Sequence, residues 1–270
     1  MPELPEVETV RRSLAPHLEG RTIAAAEITD PRLTRPEPPA AVAARLRGER
    51  VGVLGRRGKY LLIGLASGVT LVVHLRMTGN LLWLADPAEM PFTRASLLLD
   101  DGTSVTYTDV RRFGTWTLSH DPAALLRPTL GPEPLGDWTA LDLRRSLAGR
   151  ATPVKAALLD QRTVAGIGNI YADEALFRAG IHPLAPAGRV GAVRAARLHA
   201  AVREVLAEGI EAQGASIRDF RTPDGGYGSA QERFRVYGRG GQPCDRCGGV
   251  LARTVVAQRG TVYCARCQRR

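Results

Sequence analysis

The first six residues, MPELPE, place a proline beside two carboxylates, a combination suited to amine chemistry. Small residues after an initiator methionine usually allow its removal, which would leave Pro2 with a free secondary amine. An α-amino group titrates near pH ~8, so about a tenth of it is neutral and nucleophilic at pH 7. The adjacent Glu3 could move protons for that nucleophile. A frayed terminus or a helix that starts with proline explains the same residues without chemistry.

The four cysteines of the chain, Cys244, Cys247, Cys264 and Cys267, follow the pattern C-x2-C-x16-C-x2-C. This spacing is typical of one structural Zn²⁺ ion with four thiolate ligands, which leave no position for a catalytic water. Two disulfides are the alternative, which a cytoplasmic location disfavours. Residues 238–270 have too small a core to fold alone, so zinc binding should supply their folding free energy.

Charge is distributed unevenly along this chain of 270 residues, whose net charge is +10. Residues 238–270 contain seven arginines and a single acidic residue, Asp245. A focused positive region favours a polyanionic partner, most often nucleic acid, although a solvated basic surface is the simpler explanation. Lys59 and Lys155 are the only lysines among the 37 basic residues. These two lysines are present either by chance or because arginine cannot replace a compact amine at their positions.

The hydrophobic content of 44% is that of a globular protein with a real core. No apolar run reaches the ~18 residues of a membrane span, and the acidic start does not resemble a signal peptide. These observations argue against a membrane protein and predict a cytoplasmic one.

The first half of the chain predicts a helix followed by β structure. Apolar residues recur every three or four positions over 3–19, and Gly20 is placed to end that helix. Residues 51–118 contain short β-branched or leucine-rich segments separated by glycine turns. We therefore expect an antiparallel β-sandwich or barrel beside the N-terminal helix, and an α+β fold overall.

The second half predicts helices and a terminal hairpin. Thr152 and Pro153 have the types of an N-cap and first helical residue, a glycine turn precedes a helix from Asn169 to Gly180, and 193–214 is amphipathic. Between the cysteine pairs, two strands joined by Gln-Arg-Gly would place Arg259 at the tip. The predicted domains are a sandwich (1–130), a linker (131–137), a helical domain (138–237) and a zinc finger (238–270).

Five segments resemble bacterial formamidopyrimidine-DNA glycosylases and occur in the same order along the whole chain. They are MPELPEVETVRR at the start, GKY at 58–60, YTDVRRFG at 107–114, GIGNIYADEAL at 166–176, and AQRG at 257–260 within the cysteine module. The sister branch, endonuclease VIII, shares the fold but typically has glycine where Leu4 stands and lacks the RRF loop. The resemblance therefore favours the formamidopyrimidine branch.

This resemblance implies a DNA repair enzyme that excises oxidised purines and then cleaves the strand at the abasic site. Pro2 would attack C1′ of the damaged nucleotide and form an imine, and Glu3 would protonate the opening sugar. Lys59 matches a lysine that assists elimination, and Arg259 matches a finger arginine that holds a phosphate and takes part in δ-elimination. The implied partner is double-stranded DNA with oxidised bases, bound by a monomer associated with the bacterial nucleoid.

The resemblance also assigns residues to DNA contacts. Because the damaged base must leave the stack, the vacated space must be filled, and Met77, Arg111 and Phe113 match the inserted residues. Asn169 matches a phosphate contact at a helix start, within a helix–two-turn–helix element. The other implied contacts are Glu6 near the lesion pocket, His74, Arg150 and Lys155 on DNA, and a glycine-rich loop at 216–228 over the flipped base, expected to be disordered without DNA.

Simpler explanations stay open at this point. Met77 and Phe113 could be core residues, His74 an ordinary core or surface histidine, Asn169 a plain N-cap, and Glu6 a residue that only stabilises the start of a helix. The chain also departs from the family at Phe92, where many relatives carry histidines, although Arg94 could take a phosphate instead. The rival functions are an endonuclease VIII-type enzyme acting on oxidised pyrimidines, a zinc-finger DNA-binding protein without catalysis, and an N-terminal-proline tautomerase.

Overall fold

The computed structural model describes residues 1–270, which form two compact units. The first unit comprises Met1–Leu126 and Ile210–Gln231, and the second comprises Arg127–Gly209 and Glu232–Arg270. None of the helices combines the length and the apolar character needed to cross a membrane.

The first unit contains eight strands and three helices along Met1–Leu126. They are α1 (Leu4–Leu18), β1 (Ile23–Ile28), α2 (Pro39–Leu46), β2 (Val51–Arg57), β3 (Tyr60–Leu65), β4 (Thr70–His74), β5 (Gly79–Leu84), β6 (Thr93–Leu99), β7 (Ser104–Asp109), β8 (Thr115–Ser119) and α3 (Pro122–Leu126).

Helix α1 confirms the predicted N-terminal helix. Glu3 is its N-cap, and Gly20 adopts a left-handed conformation with φ of +83° just beyond its end. Its apolar stripe is completely buried and packs against β2 and β3. The stripe consists of Leu4, Val7, Val10, Leu14 and Leu18.

The eight strands form the predicted β-sandwich as two four-stranded antiparallel sheets. The strand orders are β1-β6-β7-β5 and β2-β3-β4-β8. One hydrophobic core joins α1, α2 and the two sheets. The sequence patterns predict neither helix α2 nor strand β1. Strand β1 has the sequence IAAAEI, whose three alanines give it little β propensity. Pairing with β6 from Ile23 to Ile28 provides the strand conformation that local propensity does not.

The remaining elements, in chain order, are helices followed by one hairpin. They are α4 (Ala140–Leu147), α5 (Val154–Leu159), α6 (Asn169–Ala179), α7 (Ala192–Glu211), β9 (Ala252–Val256) and β10 (Arg259–Tyr263). Residues 130–137 contain no helix or strand, although Arg203 of α7 donates to the carbonyls of Pro134 and Gly136. Gly180 ends α6 in a left-handed conformation, as its position predicts.

Two local predictions in this region are wrong by one residue. Pro153, not Thr152, is the N-cap of α5, because Pro153 forms an isolated bridge with Pro186 and stays extended. In the hairpin, Ala257 and Gln258 form the turn, both with positive φ, and Arg259 pairs with Val256 as the first residue of β10. Arg259 is nevertheless exposed beside the tip.

Candidate functional site

The start of α1 holds the residues predicted to do amine chemistry in a buried position. Pro2 and Glu3 are both buried. The backbone N–H of Glu3 donates to Oε2 of Glu6 at 2.7 Å, which is one of the two contacts of a capping box. Oε1 of Glu6 accepts from the backbone N–H of Ala215 at 2.8 Å. Glu6 therefore stabilises the helix start and also holds the segment that leads into the 216–228 loop.

Lys59 lies in the two-residue turn between β2 and β3. Helix α1 packs against both of these strands. A chain of polar contacts ties this turn to α1: Arg56 donates to Oε2 of Glu8 at 3.2 Å and to the carbonyl of Gly58 at 2.9 Å. Burial alone would raise the pKa of Glu8, but hydrogen bonds from Arg11 and Arg12 outweigh it and lower this pKa to about 2. Glu8 is thus an anion at pH 7 and positions the lysine turn.

His74 ends β4 next to the same turn, packed edge-on against the ring of Tyr60. Burial, with help from Arg76 and Lys59, lowers the pKa of His74 to about 3, so the ring is neutral at pH 7. Its Nδ1 accepts from the backbone N–H of Arg76 at 2.9 Å, which assigns the proton to Nε2. The donor that the neutral ring offers to a phosphate is therefore its Nε2–H.

The three residues predicted to fill a vacated base position lie on two loops. Met77 is half-buried in the turn after β4, whereas Arg111 and Phe113 are exposed in the loop after β7. The Arg111 guanidinium lies 4.8 Å from the centre of the Phe113 ring. Phe113 is 50% exposed, which excludes the core-packing explanation for it.

A buried carboxylate, Asp109, connects these two loops. It accepts from the hydroxyl of Thr78, next to Met77, and from the backbone N–H groups of Arg111 at 3.1 Å and Phe113 at 2.9 Å. A third backbone N–H, of Gly114, donates to it at 2.9 Å. Asp109 therefore holds the turn that carries Met77 and the loop that carries Arg111 and Phe113 in one arrangement.

Phe92 and Arg94, where the sequence departs from the family pattern, both contact the backbone of Asp109. Phe92 is exposed with φ of +65°, and its carbonyl accepts from the N–H of Asp109. Arg94 donates through Nε to the carbonyl of Asp109 at 3.0 Å. This contact uses one donor of the Arg94 guanidinium, and the predicted phosphate contact stays a prediction.

In the second unit, Lys155 is not where the sequence predicts it. Its side chain is 0% exposed, and its Nζ lies 2.7 Å from Oδ1 of Asp173 on α6. Nζ also donates to the Thr261 hydroxyl at 2.7 Å and to the Gly260 carbonyl at 3.2 Å. A direct contact of Lys155 with DNA is therefore wrong for this structure, because the ammonium is enclosed by its protein partners.

Asn169 and Arg259 come together at the same hairpin. Asn169 is the first residue of α6, after N-cap Gly168, and its Nδ2 donates to the Gly260 carbonyl at 3.0 Å. The plain N-cap explanation of Asn169 is thus wrong. Gly260 directly follows Arg259, so one hairpin residue links Asn169, Lys155 and the exposed arginine. Arg150 pairs with Asp160 at 3.3 Å.

The four cysteines form the predicted metal centre. All four are free thiols, and their sulfur atoms lie within 4.8 Å of one another. Sγ of Cys247 lies 3.5 Å from Sγ of Cys264, and Sγ of Cys244 lies 4.0 Å from Sγ of Cys267. Tetrahedral Zn–S bonds of ~2.3 Å place neighbouring sulfurs roughly 3.8 Å apart, so the donor set fits one zinc ion. The centre is a structural zinc site, with no ligand position left for water.

Sequence reasoning missed three polar residues that position this site. Asp109 organises the two loops, and Asp173 also accepts from the backbone N–H of Val262 in the hairpin at 3.1 Å. Gln161 shapes the turn before α6, since its side chain bonds the Ile167 carbonyl and the Gly166 N–H. The only sequence signal is that Asp109 and Asp173 lie within segments that carry the family resemblance, whereas Gln161 lies five positions before one.

Comparison with known proteins covers the chain from end to end. Residues 1–116 match the formamidopyrimidine-DNA glycosylase N-terminal domain, residues 130–221 its H2TH domain, and residues 241–270 a zinc finger found in FPG and IleRS. The formamidopyrimidine-DNA glycosylase of Heliobacterium modesticaldum is 50% identical over 277 residues, with 100% of both chains covered. That of Chloroflexus aggregans is also 50% identical, over 99% of this chain and 98% of the relative.

Solved structures agree with these matches. The MutM (Fpg) protein of Thermus thermophilus is 45% identical with a TM-score of 0.88, over 99% of this chain and 98% of that one. A Lactococcus lactis Fpg variant, in complex with Fapy-dG-containing DNA, is 35% identical with a TM-score of 0.93 over 100% of both chains. Through its N-terminal, helical and zinc-finger regions alike, the chain belongs to the formamidopyrimidine-DNA glycosylase family.

Proposed function

We propose that this chain is a base excision repair enzyme that removes oxidised purines, 8-oxoguanine and formamidopyrimidines, from DNA and then cleaves the strand. The observation that carries the proposal is the buried Pro2–Glu3 pair at the start of α1, in a chain that matches the family along its whole length. A zinc-finger protein that only binds DNA would leave the Pro2–Glu3 pair without a role. A small tautomerase would leave the match along the whole chain unexplained.

In the proposed reaction, the Pro2 amine forms a bond to C1′ as the bond from C1′ to the damaged base breaks, and the departing base takes the proton that the amine loses. Glu3 donates a proton to the sugar oxygen as the ring opens, which leaves an iminium ion between Pro2 and the open sugar. The cation accepts the electron pair left when C2′ loses a proton to water, and the 3′ phosphate leaves by β-elimination. Loss of the C4′ proton then expels the 5′ phosphate by δ-elimination. Lys59, held by the Glu8–Arg56 contacts, assists elimination, and Arg259 holds a phosphate for the second step.

DNA is bound so that the damaged nucleotide leaves the stack. Met77 and Phe113 fill the vacated space as apolar wedges, and Arg111 donates to the orphaned cytosine. Asn169, Arg150 and neutral His74 contact the backbone. Lys155 has no direct contact with DNA in this proposal, because it is enclosed by the protein.

The same proposal includes the oligomeric state, the location in the cell, the domain division and the role of the 216–228 loop. The enzyme acts as a monomer in the bacterial cytoplasm, on the DNA of the nucleoid. Its domains are a sandwich (1–130), a linker (131–137), a helical domain (138–237) and a zinc finger (238–270), a division supported by the separate family matches of three regions. The 216–228 loop, with Glu6 beneath its start, closes over the flipped base.

The decisive experiment traps the imine. The protein with a free N-terminus is incubated with a duplex containing 8-oxoguanine opposite cytosine, and borohydride is added to reduce any imine to a stable amine. We expect a covalent protein–DNA adduct that mass spectrometry maps to Pro2. Protein that retains Met1 is the matched control and should give no adduct while still binding the duplex.

The other outcomes each point to a different protein. An adduct only with an oxidised-pyrimidine duplex would place the enzyme in the endonuclease VIII branch. No adduct with either duplex, together with salt-sensitive binding, would leave a DNA-binding protein without catalysis. An adduct on another residue would remove Pro2 from the mechanism.

A further inference from the structure

The 216–228 loop is a compact segment anchored at its ends. Ala215 and Ser229 close its base as an isolated antiparallel bridge, and the side chain of Phe220 enters the hydrophobic core of the sandwich. Between these anchors, residues 217–219 are exposed. The loop thus presents a short exposed tip, and the position of that tip depends on what holds residues 219–223.

Those residues lie along the open edge of β5. Strand β5 is the last strand of its sheet and pairs with β7 on one side only. On the other side, the backbone N–H of Trp83 donates to the carbonyl of Pro223 at 2.7 Å. A sheet edge normally leaves such groups unpaired, so the loop covers part of this edge.

The side chain of Asn80, also on β5, completes this pairing. Its Nδ2 donates to the carbonyl of Asp219 at 2.9 Å, and its Oδ1 accepts from the backbone N–H of Arg221 at 2.9 Å. Asn80 is buried, and Nδ2 also lies 3.4 Å from the carbonyl of Thr78, beside Met77. One amide therefore links the turn that carries Met77 to the segment flanking the exposed tip.

We infer that Asn80 is a positioning residue that holds the 217–219 tip over the flipped base and so controls base excision but not strand cleavage. The inference rests on the proposed function, in which this loop covers the base. An abasic site has no base to cover, so cleavage there does not need the tip. Removing the amide leaves the part-buried Asp219 carbonyl and Arg221 N–H without this partner, which favours other loop positions.

The test separates the two steps in one protein. Asn80→Ala is compared with wild type in single-turnover assays, on a duplex with 8-oxoguanine opposite cytosine and on the same duplex with a preformed abasic site. We expect base excision to fall at least ten-fold and abasic cleavage to stay within two-fold. Hydrogen exchange at the Arg221 amide should become faster.

Two further variants control for the fold. Ser104→Ala removes a buried hydroxyl from the same sheet that has no hydrogen-bond partner, and both rates should match wild type. Asn80→Asp keeps an acceptor for Arg221 but cannot donate to Asp219, and should give an intermediate excision rate. It also serves as the test if the alanine variant fails to fold.

An equal loss on both duplexes, or unchanged excision, would overturn the role of Asn80. Failure of the wild-type protein to cleave either duplex would instead contradict the proposed function, so the two failures are distinguishable.

Discussion

The sandwich and the zinc-finger hairpin position their functional residues by different means. In the sandwich, a core of 26 buried side chains holds α1 and both sheets, and polar contacts such as those of Glu8 and Asp109 adjust loops on a frame that is already stable. Beside the hairpin, the corresponding cluster has five buried residues, and two of them, Cys244 and Cys264, are zinc ligands. Polar contacts therefore refine the sandwich, whereas metal and ionic contacts hold the hairpin itself.

The largest effect expected from this difference is that of zinc removal. Structural zinc sites in isolated fingers contribute about 10–16 kcal/mol, more than the three buried residues of this cluster that are not zinc ligands can replace. Chelation, or Cys247→Ser, should release the metal, abolish amide protection in β9 and β10, and weaken DNA binding. Amides of β2, β3 and β4 should keep their protection, measured by hydrogen exchange in the same sample.

Addition of zinc to the chelated protein, but not to Cys247→Ser, should restore hairpin protection. A hairpin that keeps its protection without metal would contradict the comparison, because its fold would then depend on packing.

The second effect concerns the buried pair of Lys155 and Asp173. Burial raises the pKa of Asp173 above its usual value, and the Lys155 ammonium opposes that rise. Lys155→Met leaves the carboxylate buried without a cation, which costs about 3–5 kcal/mol. The denaturant midpoint should fall accordingly, and the Val262 amide should exchange faster.

The double variant Lys155→Met with Asp173→Leu provides the control, because it removes both charges. It should be more stable than the single variant. If the single variant loses less than about 1 kcal/mol, the pair contributes little to holding the hairpin.

In both regions the sequence alone predicts some features and misses others. Zinc ligation and the N-terminal helix follow from residues a few positions apart, namely the cysteine pairs and the apolar stripe of α1. The role of Lys155 does not, because the Thr261 hydroxyl that helps enclose it is 106 positions away. From sequence, a lysine in a basic chain is more simply predicted to be an exposed DNA contact than a buried ion.

Asp109 and β1 show the same limit within the sandwich. The segment YTDVRRFG indicates a functional loop, but the carboxylate acts through Thr78, which lies 31 positions earlier. Strand β1 depends on pairing with β6, about 70 residues later, and its alanines carry no local strand signal. Contacts between distant segments decide both features, and neither periodicity nor spacing reveals them.

A third, smaller effect is expected at Glu8. Its folded pKa of about 2 lies below the ordinary value of 4.5, so it stabilises the fold above pH 4.5 and loses that contribution as the pH falls toward 2. Glu8→Gln should lower the free energy of unfolding by about 2 kcal/mol at pH 7, and the difference should vanish near pH 2. Denaturant unfolding between pH 7 and pH 2 measures both values.

Glu27→Gln, at an exposed position on β1, is the matched control and should change stability by less than about 0.5 kcal/mol at either pH. A pH-independent loss in Glu8→Gln would mean that the contacts act through packing and not through charge.

The smallest effect on stability is expected at Arg259, although its effect on DNA binding sharpens the comparison most. Its side chain is exposed, so Arg259→Ala should change the free energy of unfolding by less than about 0.5 kcal/mol. Loss of one phosphate contact should lower the slope of log affinity against log salt by about 0.9, and Arg259→Lys should restore that slope. If both variants bind DNA with the wild-type salt dependence, Arg259 does not contact a phosphate, although zinc and the Lys155–Asp173 pair still hold the hairpin. If Arg259→Ala instead lowers the free energy of unfolding, Arg259 is part of the hairpin's structure. The distinction between an exposed DNA-binding residue and the zinc and ionic contacts that hold the hairpin would then not apply to it.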